Sequence, residues 1–216
     1  MKLAATIDHT RLAADTSAAD IDRLCAEAIE YGFAAVCVPP IYVKQAAELL
    51  QNSQLGLATV VGFPLGYQTT ATKVAETREA MSQGANEIDM VACIAAALAG
   101  DWESYRADVA AVLETVRTKP STLLKVIIEC CYLNPAQLDK SCEILAELGV
   151  DFVKTSTGFG KGGATLADVK RIRAILPANI RIKAAGGIRE REFALQLLAA
   201  GADRLGSSSG VTLINL

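Results

Sequence analysis

Short β-branched runs alternate with longer stretches of helical period along the chain, and a polar or Gly-rich turn separates each pair. The runs that read as strands cover residues 4–8, 35–38, 57–63, 87–92, 123–129, 152–155, 180–184 and 204–205. Helical patterns lie between them at 17–31, 42–51, 69–83, 102–118, 135–148, 166–176 and 190–200. Asp15-Thr16-Ser17 opens the first helix and Asn134-Pro135 the fifth, while Gly32, Gly84, Gly149 and Gly201 close four others.

Strict alternation of strand and helix predicts parallel pairing with right-handed crossovers. A closed eight-stranded barrel and an open doubly wound sheet both satisfy it. The strand count favours closure, and so do the polar residues at the C-terminal ends of nearly every strand, where a barrel gathers its site. An open sheet concentrates its ligand signature near one switch point. The predicted fold is therefore α/β, a single (β/α)8 TIM barrel forming one catalytic domain over residues 1–216. Only GVTLINL follows the last strand, so the C-terminal end is short and the eighth helix is expected to be a stub or missing.

Composition narrows the partners. With 51% hydrophobic and 21% charged residues over 216 positions, the chain buries a sizeable core. A net charge of −3 gives no footprint for nucleic acid. No apolar run reaches the roughly 18 residues of a membrane span, and none follows MKLAATIDHT as a secretory leader would. The 6 cysteines form no CxxC pair and the chain has 1 histidine, so reduced thiols in a cytoplasmic protein, without a metal centre, are expected.

Strand parity then places charge inside the barrel. Glu87 and Asp89 share one face against Ile88 and Met90; Lys154 points opposite to Val153, and Lys183 opposite to Ile180's neighbour Ile182. Asp8, Asp89, Lys154 and Lys183 are expected near the top of the lumen, with Lys125 lower down. Such charges must pair or do chemistry. A structural ion-pair network is one reading. The other rests on Lys154 and Lys183 as barrel neighbours: two close ammonium groups disfavour each other's protonation and yield an amine able to attack a carbonyl. Asp89 supplies a carboxylate for proton transfer.

The turns after strands six to eight, Thr155-Ser156-Thr157-Gly158, Gly186-Gly187 and Gly206-Ser207-Ser208-Ser209-Gly210, are either ordinary turns or an anion nest of backbone N–H groups and hydroxyls. Barrels build their usual phosphate site there. Thr157, Gly158, Gly186, Gly187, Gly206, Ser208 and Ser209 are the candidates. His9 reads as a structural hydrogen-bonding residue in preference to a catalyst, and Trp102 as packing.

The segments IDHT, VCVPP, VVGFPLG, EIDMV, LKVIIE, FVKTSTGFGKGGAT, IKAAGGIR and LGSSSG, spread over residues 7–210, resemble the deoxyribose-phosphate aldolases, a class I aldolase family. The resemblance implies a TIM barrel that reversibly cleaves 2-deoxy-D-ribose 5-phosphate to D-glyceraldehyde 3-phosphate and acetaldehyde, with no metal or organic cofactor. It implies that Lys154 forms the Schiff base, that Lys183 perturbs it and assists proton transfer, and that Asp89 does general acid/base work. It also implies that Gly158, Gly187, Ser208 and Ser209 hold phosphate and that Asp8 lines the site. The implied partners are a sugar phosphate and an aldehyde, with neither nucleic acid nor membrane, and a homodimer by analogy. A non-catalytic barrel binding a sugar phosphate, or one specific for a different sugar phosphate, is the alternative. The sequence departs from the family pattern at Arg11 and Ala13 (HTRLAA against HTLLKP), at Pro39 and at Cys93.

Overall fold

The computed structural model describes residues 3–215. Eight strands, β1 (Ile7–Thr10), β2 (Ala35–Val38), β3 (Gly56–Val61), β4 (Glu87–Val91), β5 (Leu123–Ile127), β6 (Phe152–Lys154), β7 (Arg181–Ala185) and β8 (Arg204–Ser207), run parallel and close into a barrel in sequence order. The seam is the β1–β8 ladder, with Ile7 opposite Leu205 and His9 opposite Ser207. Around it pack α1 (Ala18–Tyr31), α2 (Val43–Leu50), α3 (Thr70–Ser82), α4 (Ile94–Ala99), α5 (Trp102–Arg117), α6 (Pro135–Leu148), α7 (Leu166–Ile175), α8 (Arg191–Ala199) and α9 (Gly210–Asn215). The protein is a (β/α)8 barrel.

The helix boundaries follow local chemistry. Ser17 and Asp20 form a reciprocal capping box at α1, and Asn134 and Gln137 form another at α6, where Pro135 occupies the first turn. Gly32 and Gly149 close the same two helices in the left-handed conformation. The six-residue α9 is the expected stub after β8.

Two elements differ from expectation. The first strand starts at Ile7 and runs to Thr10, whereas Leu3–Thr6 forms a 3-10 turn closed by the Thr6 hydroxyl donating to the Leu3 carbonyl at 2.7 Å. The ladder decides this shift, because His9 and Thr10 have partners Val36 and Cys37 on β2. Helix α4 was absent from the hydropathy pattern: six residues of Ile and Ala between Cys93 and Gly100 are too few to display a helical period.

Parity divides the barrel into two environments. Ile88, Met90, Val126, Val153, Ile182 and Ala184 point outward into the main core beneath the helices. The lumen holds small apolar clusters, Cys37 with Ala58 and Val60, and Val91 with Ile94 and Ile127. Phe152, Ala185 and Gly206 also face inward, and the charged side chains of the lumen lie among them.

Candidate active site

On β6 and β7, Lys154 and Lys183 are register partners; on β4 and β5, Asp89 and Lys125 are. All three lysines converge on Asp89. Lys154 Nζ and Lys183 Nζ each donate to its Oδ2 at 2.8 Å, and Lys125 Nζ donates to Oδ1 at 2.8 Å. Asp8 forms ion pairs with Lys183 at 2.5 Å and Lys125 at 3.6 Å. Glu87 pairs with Lys125 at 2.5 Å, and Arg204 bridges Asp8 and Glu87 at the N-terminal end of the strands. Lys125 lies one inward position below Lys154, as expected, and is a full member of the cluster.

Three carboxylates therefore face four basic groups in a volume from which water is nearly absent: Asp8, Asp89, Lys125 and Lys183 are 0% exposed and Lys154 3%. Burial alone would raise the Asp89 carboxyl, but Lys125, Lys154 and Lys183 hold it well below the usual carboxylate range. Asp8 is likewise held low, with burial outweighed by Lys183, Lys125 and Arg204. Burial pulls on the lysines in the opposite sense. Lys183 and Lys125 resist it through their carboxylate neighbours and stay above the ordinary lysine value. Lys154 does not. Burial and the Lys183 charge together outweigh Asp89, and its ammonium is destabilised.

The expected repulsion between the two lysines takes effect at one of them. Repulsion acts on both, but its effect emerges only at Lys154, where burial is the larger cause and a single carboxylate opposes it. At Lys183 two carboxylates prevail.

Above Lys154 lies a cavity of about 390 Å³ at the C-terminal ends of β1, β6, β7 and β8. Lys154, Thr157, Gly158, Gly186, Gly187, Gly206 and Ser208 line it. Asp89, Lys183 and Asp8 are buried in the lumen and do not line it, and neither does Ser209, whose N–H donates to the Ser207 hydroxyl at 3.0 Å. Gly206 has a steric role: a Cβ there would lie 3.1 Å from Lys183 Cε.

The hydroxyls of Thr155, Ser156 and Thr157 are engaged within the protein. Thr155 Oγ1 donates to the Ala185 carbonyl at 3.3 Å and accepts its N–H at 3.1 Å; Ser156 donates to Thr155 at 3.1 Å, and Thr157 donates to Glu129. Backbone is freer. Among the described residues, the N–H groups of Gly158, Gly186, Gly187 and Ser208 have no protein acceptor. Gly186 and Gly187 have φ of 88° and 77°, a conformation in which successive N–H groups can converge.

Several residues of the site escaped the sequence reading. Arg11 and Arg189 bring cations to the cavity lining, and Phe159 covers part of its mouth, meeting Phe63 edge-on at 5.2 Å. Arg204 shares its strand face with Gly206, so parity could have placed it inside. His9 takes the outward side, with Nε2 2.6 Å from Glu27 Oε2 and its ring 4.9 Å from Phe33, which fits the structural role. All six cysteines are free thiols. Among the described residues no three His, Cys, Asp or Glu side chains are grouped to hold a metal ion.

A closed (β/α)8 barrel with a destabilised lysine ammonium beneath a cavity of backbone donors defines the class of barrel enzymes that use a lysine amine on carbonyl compounds. Comparison with known proteins agrees. The model for the DeoC/LacD family of aldolases matches residues 2–213, and the chain belongs to that family. The deoxyribose-phosphate aldolase of Caldanaerobacter subterraneus is 45% identical over 214 residues, covering 99% of this chain and 93% of that one. The enzyme of the same name from Syntrophotalea carbinolica is 48% identical over 208 residues, covering 96% and 93%. Among solved structures, the tetrameric deoxyribose phosphate aldolase of Aeropyrum pernix superposes with a TM-score of 0.92 at 30% identity, covering 99% of this chain and 89% of that one.

Proposed function

We infer that the protein reversibly cleaves 2-deoxy-D-ribose 5-phosphate to D-glyceraldehyde 3-phosphate and acetaldehyde through an imine on Lys154. The observation that carries this reading is the contrast between two lysines on one carboxylate oxygen. Lys154 is the one whose ammonium is destabilised, and it lines the cavity, whereas Lys183 remains charged beneath it.

The Lys154 amine adds to C1 of the open-chain sugar phosphate, and loss of water gives a protonated imine. As the C2–C3 bond breaks, its electron pair moves into the iminium and forms an enamine. The C3 hydroxyl loses its proton, and glyceraldehyde 3-phosphate departs. Protonation at C2 and hydrolysis of the imine then release acetaldehyde and restore the amine.

Asp89, acting through a water and assisted by Lys183, takes the C3 proton in this reading. A carboxylate held so low is a weak resting base. Positioned transfer of this kind contributes about 10² to 10⁴ in rate. The phosphate docks on the backbone N–H groups of Gly158, Gly186, Gly187 and Ser208, beside Thr157 and Gly206, with the Arg189 and Arg11 charges nearby, and Ser209 shapes the turn through its bond to Ser207. Asp8 fixes Lys183. One catalytic domain over residues 1–216, a cytoplasmic location and a homodimer complete the proposal, the free thiols supporting a reducing compartment. No helix among the described residues is long and apolar enough to cross a membrane.

Borohydride reduction in the presence of 2-deoxy-D-ribose 5-phosphate, followed by peptide mass mapping, tests the reading. The expected adduct is on the peptide carrying Lys154. An adduct on Lys183 exchanges the two roles. With ligand bound and the fold intact, the lack of any adduct points to a binding barrel without this chemistry.

A further inference from the structure

Glu129 lies just beyond β5 and outside the lysine cluster. It is the one non-glycine residue with a left-handed backbone among those described, at φ 52° and ψ 64°. Such a conformation persists in a non-glycine residue only where its surroundings enforce it. They do so here: Ile128 N–H donates to the Lys154 carbonyl at 3.0 Å and Cys130 N–H to the Thr155 carbonyl at 2.9 Å. The backbone is stitched to β6 on both sides of Glu129, and the kink between the stitches carries its side chain beneath the loop that follows β6.

The Glu129 carboxylate is buried, and among the described residues no cation pairs with it. A buried anion in that position must be satisfied by donors. Thr157 supplies them. Its N–H lies 3.2 and 3.3 Å from the two carboxylate oxygens, and its hydroxyl donates to Oε2. The same hydroxyl accepts the Phe159 N–H at 3.0 Å, so the Thr157-Gly158-Phe159 turn is fastened from below at both ends. The rest of the loop is held as closely. A Cβ on Gly160 would come within 3.2 Å of Glu129 Cδ, and one on Gly163 within 2.3 Å of the Gly186 carbonyl, which accepts the Ala164 N–H at 3.1 Å. The loops that bring Gly158 and Gly186 to the cavity are one packed unit resting on Glu129.

We propose that Glu129 is the positioning residue for the anion end of the cavity, holding the β6 loop in the shape whose backbone receives a phosphate monoester. It touches neither the substrate nor Lys154. This inference rests on the reading that the cavity takes a phosphorylated sugar. Simple charge predicts the reverse effect, because neutralising a carboxylate near an anion site would tighten anion binding. The two accounts therefore differ in sign.

The test uses the full chain with Glu129→Gln and, independently, Glu129→Asp, which shortens the carboxylate's reach to Thr157 should the first variant fail to fold. Inorganic phosphate binding is measured by titration calorimetry. Steady-state cleavage is measured with 2-deoxyribose 5-phosphate and with 2-deoxyribose. Loss of a hydrogen bond to a charged group should raise the phosphate Kd and the KM of the phosphorylated sugar by about tenfold. It should leave kcat, and kcat/KM for the unphosphorylated sugar, within about twofold. Unchanged or tighter phosphate binding overturns the proposal, as do equal losses on both substrates. Phosphate binding by a wild-type protein that cleaves neither sugar removes the aldolase reading and leaves this one standing. Cleavage without any phosphate binding does the opposite.

Discussion

Lys154 and Lys183 donate to the same atom, Oδ2 of Asp89, each at 2.8 Å, yet their ionisation is pushed in opposite directions. The difference is one neighbour. Lys183 has a second carboxylate, Asp8, at 2.5 Å, whereas Lys154 has Asp89 alone and stands where the lumen opens into the cavity. With four basic groups around three carboxylates, the excess positive charge is relieved at the base with the fewest partners. The lumen thus keeps Lys183 and Lys125 charged and prepares Lys154 as an amine.

The pH dependence of cleavage should report that preparation. An ordinary lysine near 10.4 is a free amine to a fraction of about 10⁻³ at neutral pH. For Lys154, kcat/KM should rise with pH and level off below the ordinary lysine range. Lys183→Met removes a like charge and frees Asp89 Oδ2 for Lys154, and both changes raise the Lys154 pKa. The rising limb should move to higher pH, with a lower rate at neutrality. Rates measured across pH on both proteins decide it; a limb that stays in place, or moves towards acid, means Lys183 does not depress Lys154.

Removing either member of the Lys154–Asp89 pair should have unequal effects on stability. Lys154→Ala deletes the least supported cation of a positively unbalanced cluster, so cleavage is lost while the urea midpoint stays close to that of the parent. Asp89→Asn leaves three lysines without their shared negative charge and turns an NH2 donor toward them, and breaking buried pairs in this way costs about 3–5 kcal/mol. The linkage sign supports the same ordering. Asp89 and Asp8 are held low, so their stabilisation is complete above the unfolded value near 3.9 and is lost as pH falls through the folded values. Lys183 is held high, so its share is complete below about 10.4 and is lost only as pH rises through the folded value. Asp89→Asn should therefore also flatten the acid limb of a stability-versus-pH curve. Equal urea midpoints for the two variants are incompatible with this account of the charge balance.

Period-2 alternation makes the lumen legible in the sequence. Once β4, β6 and β7 are strands, Asp89, Lys154 and Lys183 can only point inward, and the isoleucines opposite them can only face the helices. Partner counts are a different matter. Whether Lys183 or Lys154 is the depressed lysine depends on which side chains of β1 and β8 reach each ammonium, and sequence parity says nothing about reach. The bonds of the Thr155-Ser156-Thr157 hydroxyls were hidden for a related reason: residue type shows that a hydroxyl is present but not that it is bonded to Ala185, to its neighbour or to Glu129. Glu129 itself was invisible because its role comes from a left-handed kink imposed by hydrogen bonds on either side, which leaves no periodic trace. Helix α4 and the late start of β1 were lost to shortness and to a turn-forming Thr6.

Gly206 provides a test of how finely Lys183 must be placed. Its backbone is not in the left-handed region, so alanine adds a Cβ and nothing else. That atom would meet Lys183 Cε at 3.1 Å and Ala185 Cβ at 3.0 Å, closer than such groups settle. Ala185 is fixed in β7, so the lysine side chain is the part that moves. Its ammonium must then leave the 2.5 and 2.8 Å geometry shared with Asp8 and Asp89. Overpacking of this size costs about 1–3 kcal/mol, so Gly206→Ala should still fold. Misplacement of a catalytic group by about 1 Å can cost about 10² in rate, and the smaller shift needed here should lower kcat for cleavage by less than that but measurably. Because Lys154 is untouched, borohydride should still trap the sugar at its wild-type position, which separates imine formation from the later proton transfers. A variant with full kcat would show that Lys183 needs only to be charged and nearby; one that neither cleaves nor traps would place Gly206 in the handling of Lys154 itself.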